Sequence, residues 1–268
     1  MAITTVAGYQ NASNGALLTY IAKAPVNNAQ TNGTYTSLWN VTGNPPQGAV
    51  PTAAATCTNA TAGALVFTNP PGGVTSYITS FIVNGCGLTA PGALMAYDRL
   101  QHMGGLSGTV LTAQTVGLTV PGGREALADL SNVEWYVECY TDLGANSRTL
   151  TVSYTNTGSV SGQTVAVTIP VTYRAANMIR IVPTVAGDII QSIDSCTLSA
   201  STGTAGNFGF TNLVRLAQVN ATWGFRTKGS NAFQTGLPTV SNSACIAFAA
   251  LFTGGSISTM GSIGLGVG

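Results

Sequence analysis

The sequence predicts an all-β protein, an antiparallel β-sandwich of jelly-roll type, on three observations. Apolar and polar residues alternate with a period of two in several separate stretches. Threonine, at 38 residues, and valine are prominent in them, and their stiff β-branched side chains suit a pleated surface. Turn punctuation by 33 glycines and 11 prolines recurs between those stretches, with no sustained helical period anywhere.

Residues 1–60 read as an extended N-terminal arm followed by first strands, being rich in Ala, Thr, Asn and Gly with turns at Asn44-Pro45-Pro46 and later at Asn69-Pro70-Pro71-Gly72-Gly73. The sandwich itself is expected over 61–253. Its strands are predicted at Thr75 to Val83 and Thr109 to Val120, then a short helical turn at Arg124 to Leu130 after Pro121-Gly122-Gly123. In Val133 to Cys139, Val133, Trp135, Val137 and Cys139 point one way, and Glu134, Tyr136 and Glu138 point to a solvated face.

Thr149 to Tyr154 and the alternation Val165, Val167, Ile169, Val171, Tyr173 form a hairpin around the polar turn Asn156 to Gly162. Pro170 cannot donate to a ladder, which puts that second strand at a sheet edge or a bulge. Further strands are predicted at Asn177 to Val182, Ile189 to Leu198, Phe208 to Val219 and Ala244 to Thr253. The segment 254–268 is Gly/Ser-rich and reads as a flexible tail, free or ordered against a neighbouring subunit. No internal repeat is evident.

Charge is the anomaly. Across 268 residues there are 9 Lys+Arg and 8 Asp+Glu, only 6 % of the chain, where about a quarter is usual. Before Tyr97 the one charged side chain is Lys23. A net charge of +1 gives no basic face for nucleic acid, and 45 % apolar content disfavours disorder. Ala/Glu/Lys/Leu/Arg-rich helical bundles are excluded by composition. The longest apolar run, Ala244 to Phe252, is about half of a spanning helix. Met1 to Val6 lacks a basic n-region and an apolar h-region, and five scattered cysteines (Cys57, Cys86, Cys139, Cys196, Cys245) include no CxxC pair. Buried thiols, folded in a reducing cytoplasm, are the expectation. The sequons at Asn11, Asn32, Asn40, Asn59 and Asn220 then read as accidents of composition.

A surface of Thr, Ser, Asn and backbone desolvates more cheaply than an ionic one, because an unpaired buried ion costs far more than a hydroxyl that finds a partner. Such a surface suits a permanent assembly with weak salt dependence.

Catalytic chemistry finds little support. His102 is the single histidine, and Asp98 and Ser107 are its tempting neighbours for a triad, but Gly104 to Gly108 lacks the glycine spacing of a nucleophile elbow. Lys23 and Lys228 follow no phosphate-binding loop. Glu134 with Glu138 could make a glycosidase pair, yet reads as one solvated strand face. Asp188 and Asp194 suit turn capping better than calcium. Trp39, Trp135 and Trp223 could stack on sugars, with Trp135 assigned to the core face. No catalytic, cofactor or metal residue is therefore assigned.

Tyr97-Asp98-Arg99-Leu100, His102 and Gly104-Gly105-Leu106-Ser107-Gly108-Thr109-Val110 resemble a stretch shared by virion structural proteins of tailed bacteriophages. Val152-Ser153-Tyr154-Thr155-Asn156, the segment Ala200 to Phe208 and the opening Met1 to Val6 are similar to segments of the same group. The resemblance implies a particle component with no catalytic residues to carry over. The usual shell subunit has a long spine helix, which is not predicted here. What fits is a cement or decoration protein on the capsid exterior, made in the host cytoplasm. Its partners would be the major capsid protein and copies of itself, as a homotrimer, with no direct nucleic acid and no membrane. A tail-tube, spike or fibre protein and a carbohydrate-binding β-sandwich are the alternatives. An outer-membrane barrel is permitted by alternation alone, but no signal peptide accompanies it. On this reading a chain lacking the residues before about Asn40 would keep its sandwich and attach less well.

Overall fold

A computed structural model describes residues 3, 5–26, 34–72, 74–86, 92–122, 124, 129–221, 227–231, 234, 236–252 and 257–268, with the side chains of 84–86, 221, 252 and 257 excepted. Strands dominate, and every pairing is antiparallel. Chain order begins with α1 (Val6–Asn14), β1 (Leu17–Val26), β2 (Tyr35–Ser37), β3 (Gly43–Asn44), β4 (Ala55–Thr56) and β5 (Ser76–Cys86). It continues with β6 (Gly92–Leu106), β7 (Gln114–Thr119), β8 (Val133–Thr141), β9 (Arg148–Asn156), β10 (Gln163–Ile169) and β11 (Asn177–Ile181). The last elements are β12 (Ile190–Leu198), β13 (Asn207–Ala221), β14 (Thr227–Asn231), β15 (Thr239–Val240), β16 (Ile246–Phe252) and β17 (Ile257–Val267).

The expected all-β antiparallel class is what the chain adopts. Its two halves share a central element. Strands β13, β8, β11, β2, β16 and β6 pair in that order, and β6 pairs back onto β13, so the sheet closes into a small barrel. β4 continues along β6 where β16 stops, with Ala55 opposite His102 and Ile246 opposite Asp98. An outer sheet, β14-β5-β17-β1-β3, covers one flank of the barrel, and a second, β10-β9-β12-β7, covers another.

Each flank has its own apolar core. Ile21, Phe81, Val83, Ile263 and Leu265 of the first outer sheet meet Leu94, Ala96, Ile246 and Phe248 of the barrel. Phe81 stacks on Phe248 with ring centroids 6.0 Å apart. On the other flank, Val133, Trp135, Val137 and Cys139 meet Leu150, Val152, Val165 and Ile193. The hairpin β9–β10 forms as the alternation predicts. β10 lies at the sheet edge and stops at Ile169, immediately before Pro170, because the proline offers no donor.

Four sequence expectations are corrected. Residues 1–60 supply first strands, as expected, but not an extended arm: β1 pairs along its length with β17 and at Ala22 and Lys23 with the two-residue β3, and β2 is a stave of the barrel. The single charge of that region, Lys23, is buried and donates to the carbonyls of Val41 (3.0 Å), Pro45 (2.7 Å) and Pro46 (3.4 Å), and burial lowers its ammonium to about 8. The segment 254–268 is no flexible tail, since its described part, Ile257–Val267, is the strand between β5 and β1. Its small residues permit that position. A Cβ on Gly261 would strike the Ile82 carbonyl of the neighbouring strand.

A helix absent from the prediction, Val6–Asn14, is capped by the Thr5 hydroxyl, which accepts from the Gly8 amide at 3.0 Å. It buries only Ala12, so it has no apolar stripe to read. The helical turn expected over Arg124 to Leu130 lies largely outside the described residues, and a single 3-10 turn follows at Leu130–Asn132. β6, which the pattern missed, is buried on both faces and so does not alternate.

The barrel seam depends on a close approach. A side chain at Gly209 in β13 would run into the Met103 carbonyl of β6. Truncation after residue 256 should remove the β17 strand and with it cooperative folding, read as loss of the thermal transition in circular dichroism. Deleting residues 1–39 should do the same by removing β1 and β2. A truncated chain that melts like the full one would contradict this topology.

Candidate functional site

The second face of β8 points into the barrel, where polar groups converge. Arg99 on β6 is fully buried and donates through Nη2 to Glu138 Oε2 (2.6 Å), the Tyr140 hydroxyl (3.1 Å) and Thr211 Oγ1 (3.0 Å). Its Nε donates to His102 Nδ1 at 3.1 Å, and its guanidinium lies 4.6 Å from the Trp39 ring. Burial works against the charge of Glu138, but the adjacent Arg99 and hydrogen bonds from Arg99 and Thr211 hold its carboxyl below the ordinary 4.5. Burial likewise opposes the Arg99 charge, and Glu138 more than restores it. Glu138 is thus not solvated as its alternation suggested, because the face opposite the apolar core is the lumen of a closed barrel.

A second buried pair sits beside the first. Arg124 Nη1 reaches both oxygens of Asp98 (2.7 and 2.6 Å), and Asp98 also accepts from the Cys245 amide at 2.8 Å. Burial raises the Asp98 carboxyl despite the opposing pull of Arg124. Arg124 Nη2 also donates to the Cys57 carbonyl. This pair ties the segment before β8 to the barrel wall. Cys57 and Cys245 lie end to end on the same side of β6, through Cys57 N to Leu100 O and Arg99 N to Cys245 O, both at 2.9 Å. Their thiols share a hydrogen bond, which draws the Cys57 thiol down and pushes that of Cys245 up.

The sequence-level candidates separate into different networks. His102 is buried against the edge of Trp39 (5.6 Å), whereas the Ser107 hydroxyl pairs with Thr109 Oγ1 at 3.0 Å and Asp98 is held by Arg124. No triad assembles from them. Glu134 stands apart from Glu138, accepting from the Tyr136 hydroxyl (2.6 Å) and Arg215 (3.2 Å). Asp188, after a turn, accepts from Tyr154 and Asn156, whereas Asp194, expected to cap a turn, lies within β12 and accepts from Thr155 of β9 and from Ser192. Trp39 and Trp135 are buried, with their indole N–H groups on the carbonyls of Ala49 and Ile190, so neither offers a stacking face to a sugar. Trp223 lies outside the described residues. Cys57, Cys139, Cys196 and Cys245 are free and buried, and the Cys86 side chain is not described. Among the described residues no group of three or more His, Cys, Asp or Glu is placed to hold a metal ion.

The exterior is the other half of the problem. Lys23, Asp98, Arg99, Arg124 and Glu138 are all buried, so a chain with few ions spends five of them internally. The first outer sheet contains only Lys23 and the distal Lys228, and all eight carboxylates fall between Asp98 and Asp194. On the open face of that sheet Leu18, Tyr20 and Met260 are 57, 71 and 55 % exposed. Their registers, Leu18 with Gly264, Tyr20 with Ser262 and Ala22 with Met260, place them together on one face. An uncharged, partly apolar sheet face is the feature of this molecule that invites a partner.

No known protein family matches this chain, and no curated protein does. Two solved structures, of infectious bursal disease virus strains Gx and Gt, align with 94 % of it and with 80 and 81 % of their own chains, at 10 and 9 % identity and TM-scores of 0.19 and 0.17. A likeness this low carries no argument.

Breaking one member of the lumen pair leaves the other charge buried and uncompensated. Arg99→Met or Glu138→Leu alone should each cost about 3–5 kcal/mol in denaturant unfolding, and the double variant less than their sum. Equal additivity would remove the pair from the account. The sign with pH follows from the depressed Glu138 carboxyl. Its contribution is complete above about its unfolded value of 4.5 and is lost as pH falls through the lower folded value. Acid titration of stability should therefore flatten in Glu138→Gln.

Proposed function

We propose that this chain is a non-enzymatic structural subunit of a tailed-bacteriophage particle, a cement or decoration protein that stabilises the capsid shell from outside. One observation supports this reading above the others. Five ionic side chains are buried, and none of the others lies on the open face of the outer sheet built on β1, β5 and β17, which bears exposed Leu18, Tyr20 and Met260. A monomer working alone in water gains nothing from that distribution, since exposed ions keep proteins soluble and apart. A subunit packed among neighbours does gain, because it need not strip water from charges in order to bury area.

The partners on this reading are the major capsid protein and copies of the chain itself. Nucleic acid is not among them. Arg174 pairs with Asp142, and Arg180 and Arg215 share Glu134, so no continuous basic stripe forms among the described residues. Of the phage-like stretch Tyr97 to Val110, the part up to Leu106 lies in β6 and the rest in the turn that follows, which supports a resemblance of scaffold and leaves the attachment surface to the outer sheets.

Quantitative mass spectrometry of purified particles, with heads and tails separated, should find hundreds of copies in the head fraction. A handful of copies in the tail fraction would instead favour a tail-tube, spike or fibre role. Absence from both, with turnover or glycan binding by the purified chain, would overturn the structural reading.

A further inference from the structure

The strand β1 has one side engaged and most of the other open. Along β17 it is paired from Leu17 with Leu265 to Val26 with Ile257. On its other side, β3 pairs only with Ala22 and Lys23. The Ala24 amide donates to Thr42 O, and the Tyr20 carbonyl accepts from Asn44 Nδ2, so even-numbered residues present their backbone to this side. By alternation the amide and carbonyl of Leu18 and the amide of Tyr20 face outward beyond the reach of β3. We propose that this open edge is the seam at which two copies of the chain join. The β1 of each pairs antiparallel with the β1 of the other across a two-fold axis, so that the two outer sheets become one.

Natural edge strands are guarded by charges, prolines, bulges or covering loops. Between Leu17 and Ile21 the described structure has no charged residue, no proline and no bulge. Leu17, Leu18 and Tyr20 are instead 64, 57 and 71 % exposed. Backbone of that kind asks for another extended strand, and its lack of charge asks for a partner equally free of ions. A second copy meets both conditions, since an antiparallel edge is complementary to itself about a two-fold.

Centred on Thr19, the pairing sets Leu18 of one copy opposite Tyr20 of the other, twice, which are aliphatic–aromatic cross-strand contacts on the open face. Leu17 of each copy falls opposite Ile21 of the other. Beside the edge runs a groove of about 480 Å³ lined by Leu17, Val66, Phe67, Pro70, Pro71 and Leu265, which gives an incoming apolar side chain a place to enter. This names the self-contact of the structural subunit proposed above and rests on that reading, but it is tested on the purified chain without particles.

Light scattering on the full-length protein should give the mass of two copies. Leu18→Lys with Tyr20→Lys puts four cations across the seam and should give the mass of one copy at the same concentration. The thermal midpoint should fall only by what association contributes and lose its dependence on protein concentration, with the folded circular-dichroism spectrum kept, because both side chains are exposed in the single copy. Val160→Lys, an exposed change in the β9–β10 loop of the other outer sheet, should leave two copies. Hydrogen exchange at the Leu18 and Tyr20 amides should be slow in the wild type and fast in the double variant. A single-copy wild type, a variant with wild-type mass, or a three-copy assembly indifferent to the substitutions would overturn the proposal. Should the double variant lose its fold, fast exchange of those two amides in the wild type would overturn it just as well. Head proteomics reads the particle role independently, so either idea can fail alone.

Discussion

Closure of the barrel is the constraint from which the other features descend. β6 must pair with β16 and β4 on one side and with β13 on the other, and β13 must reach β8 to complete the ring. Once closed, the ring has an inside too small for bulk water and an outside covered on two flanks by further sheets. Both faces of most of its strands are then buried, and a charged side chain directed inward needs a partner there. Arg99 answers that demand for β6, β8 and β13 together, since one guanidinium reaches Glu138, Tyr140 and Thr211 while stacking on Trp39. A buried pair of this kind is weak evidence for added stability over an apolar core. What it does is penalise any register in which Arg99 and Glu138 fail to meet, because a slipped strand would leave a bare charge in the lumen.

The same closure explains where the charges went. A chain with nine cations and eight anions that places Lys23, Asp98, Arg99, Arg124 and Glu138 inside has twelve ions left for 268 residues. The remaining described carboxylates, Asp129, Glu134, Asp142, Asp188 and Asp194, lie in or next to β8 and β12. The sheet built from β1, β5 and β17 is left without any. The molecule is therefore polarised between an outer sheet whose neighbourhood is braced by ion pairs and turn carboxylates and one whose open face is hydroxyls, glycines and a few large apolar groups. Two such faces approach each other with little desolvation penalty, and an ionic partner would find nothing there to pair with.

Comparison of particular elements shows what could be read in advance. The hairpin β9–β10 alternates cleanly because one face packs on the barrel and the other meets water, so its period of two survives in the residues. β8 alternates too, but its second face was misread: Glu134, Tyr136 and Glu138 look like a solvated row, and only the closure of the ring turns that row inward. β6 has no readable period, because Leu94, Met95, Ala96 and Tyr97 are buried in succession, two toward the lumen and two toward the outer sheet. β17 looked like a loose tail for a related reason. Its glycines carry no pattern, yet they are what lets it lie tightly between β5 and β1. Of the candidate site residues, His102 and Trp39 were visible as types, but their partner Arg99 was visible only as part of a resemblance, since nothing in a linear sequence marks which arginine will be sealed inside.

What the residues determined by themselves was the class and the economy of charge: β-branched alternation, frequent turns and scarce ions require antiparallel sheets with a largely neutral surface. Tertiary structure alone decided which faces are surface. Period two says that a strand has two sides and not what lies against each, and ring closure over sequence separations such as that between β6 and β13 converts a side that would have met water into an interior. The location of the unguarded β1 edge belongs to the same category, because an edge exists only relative to the strands that do or do not arrive beside it.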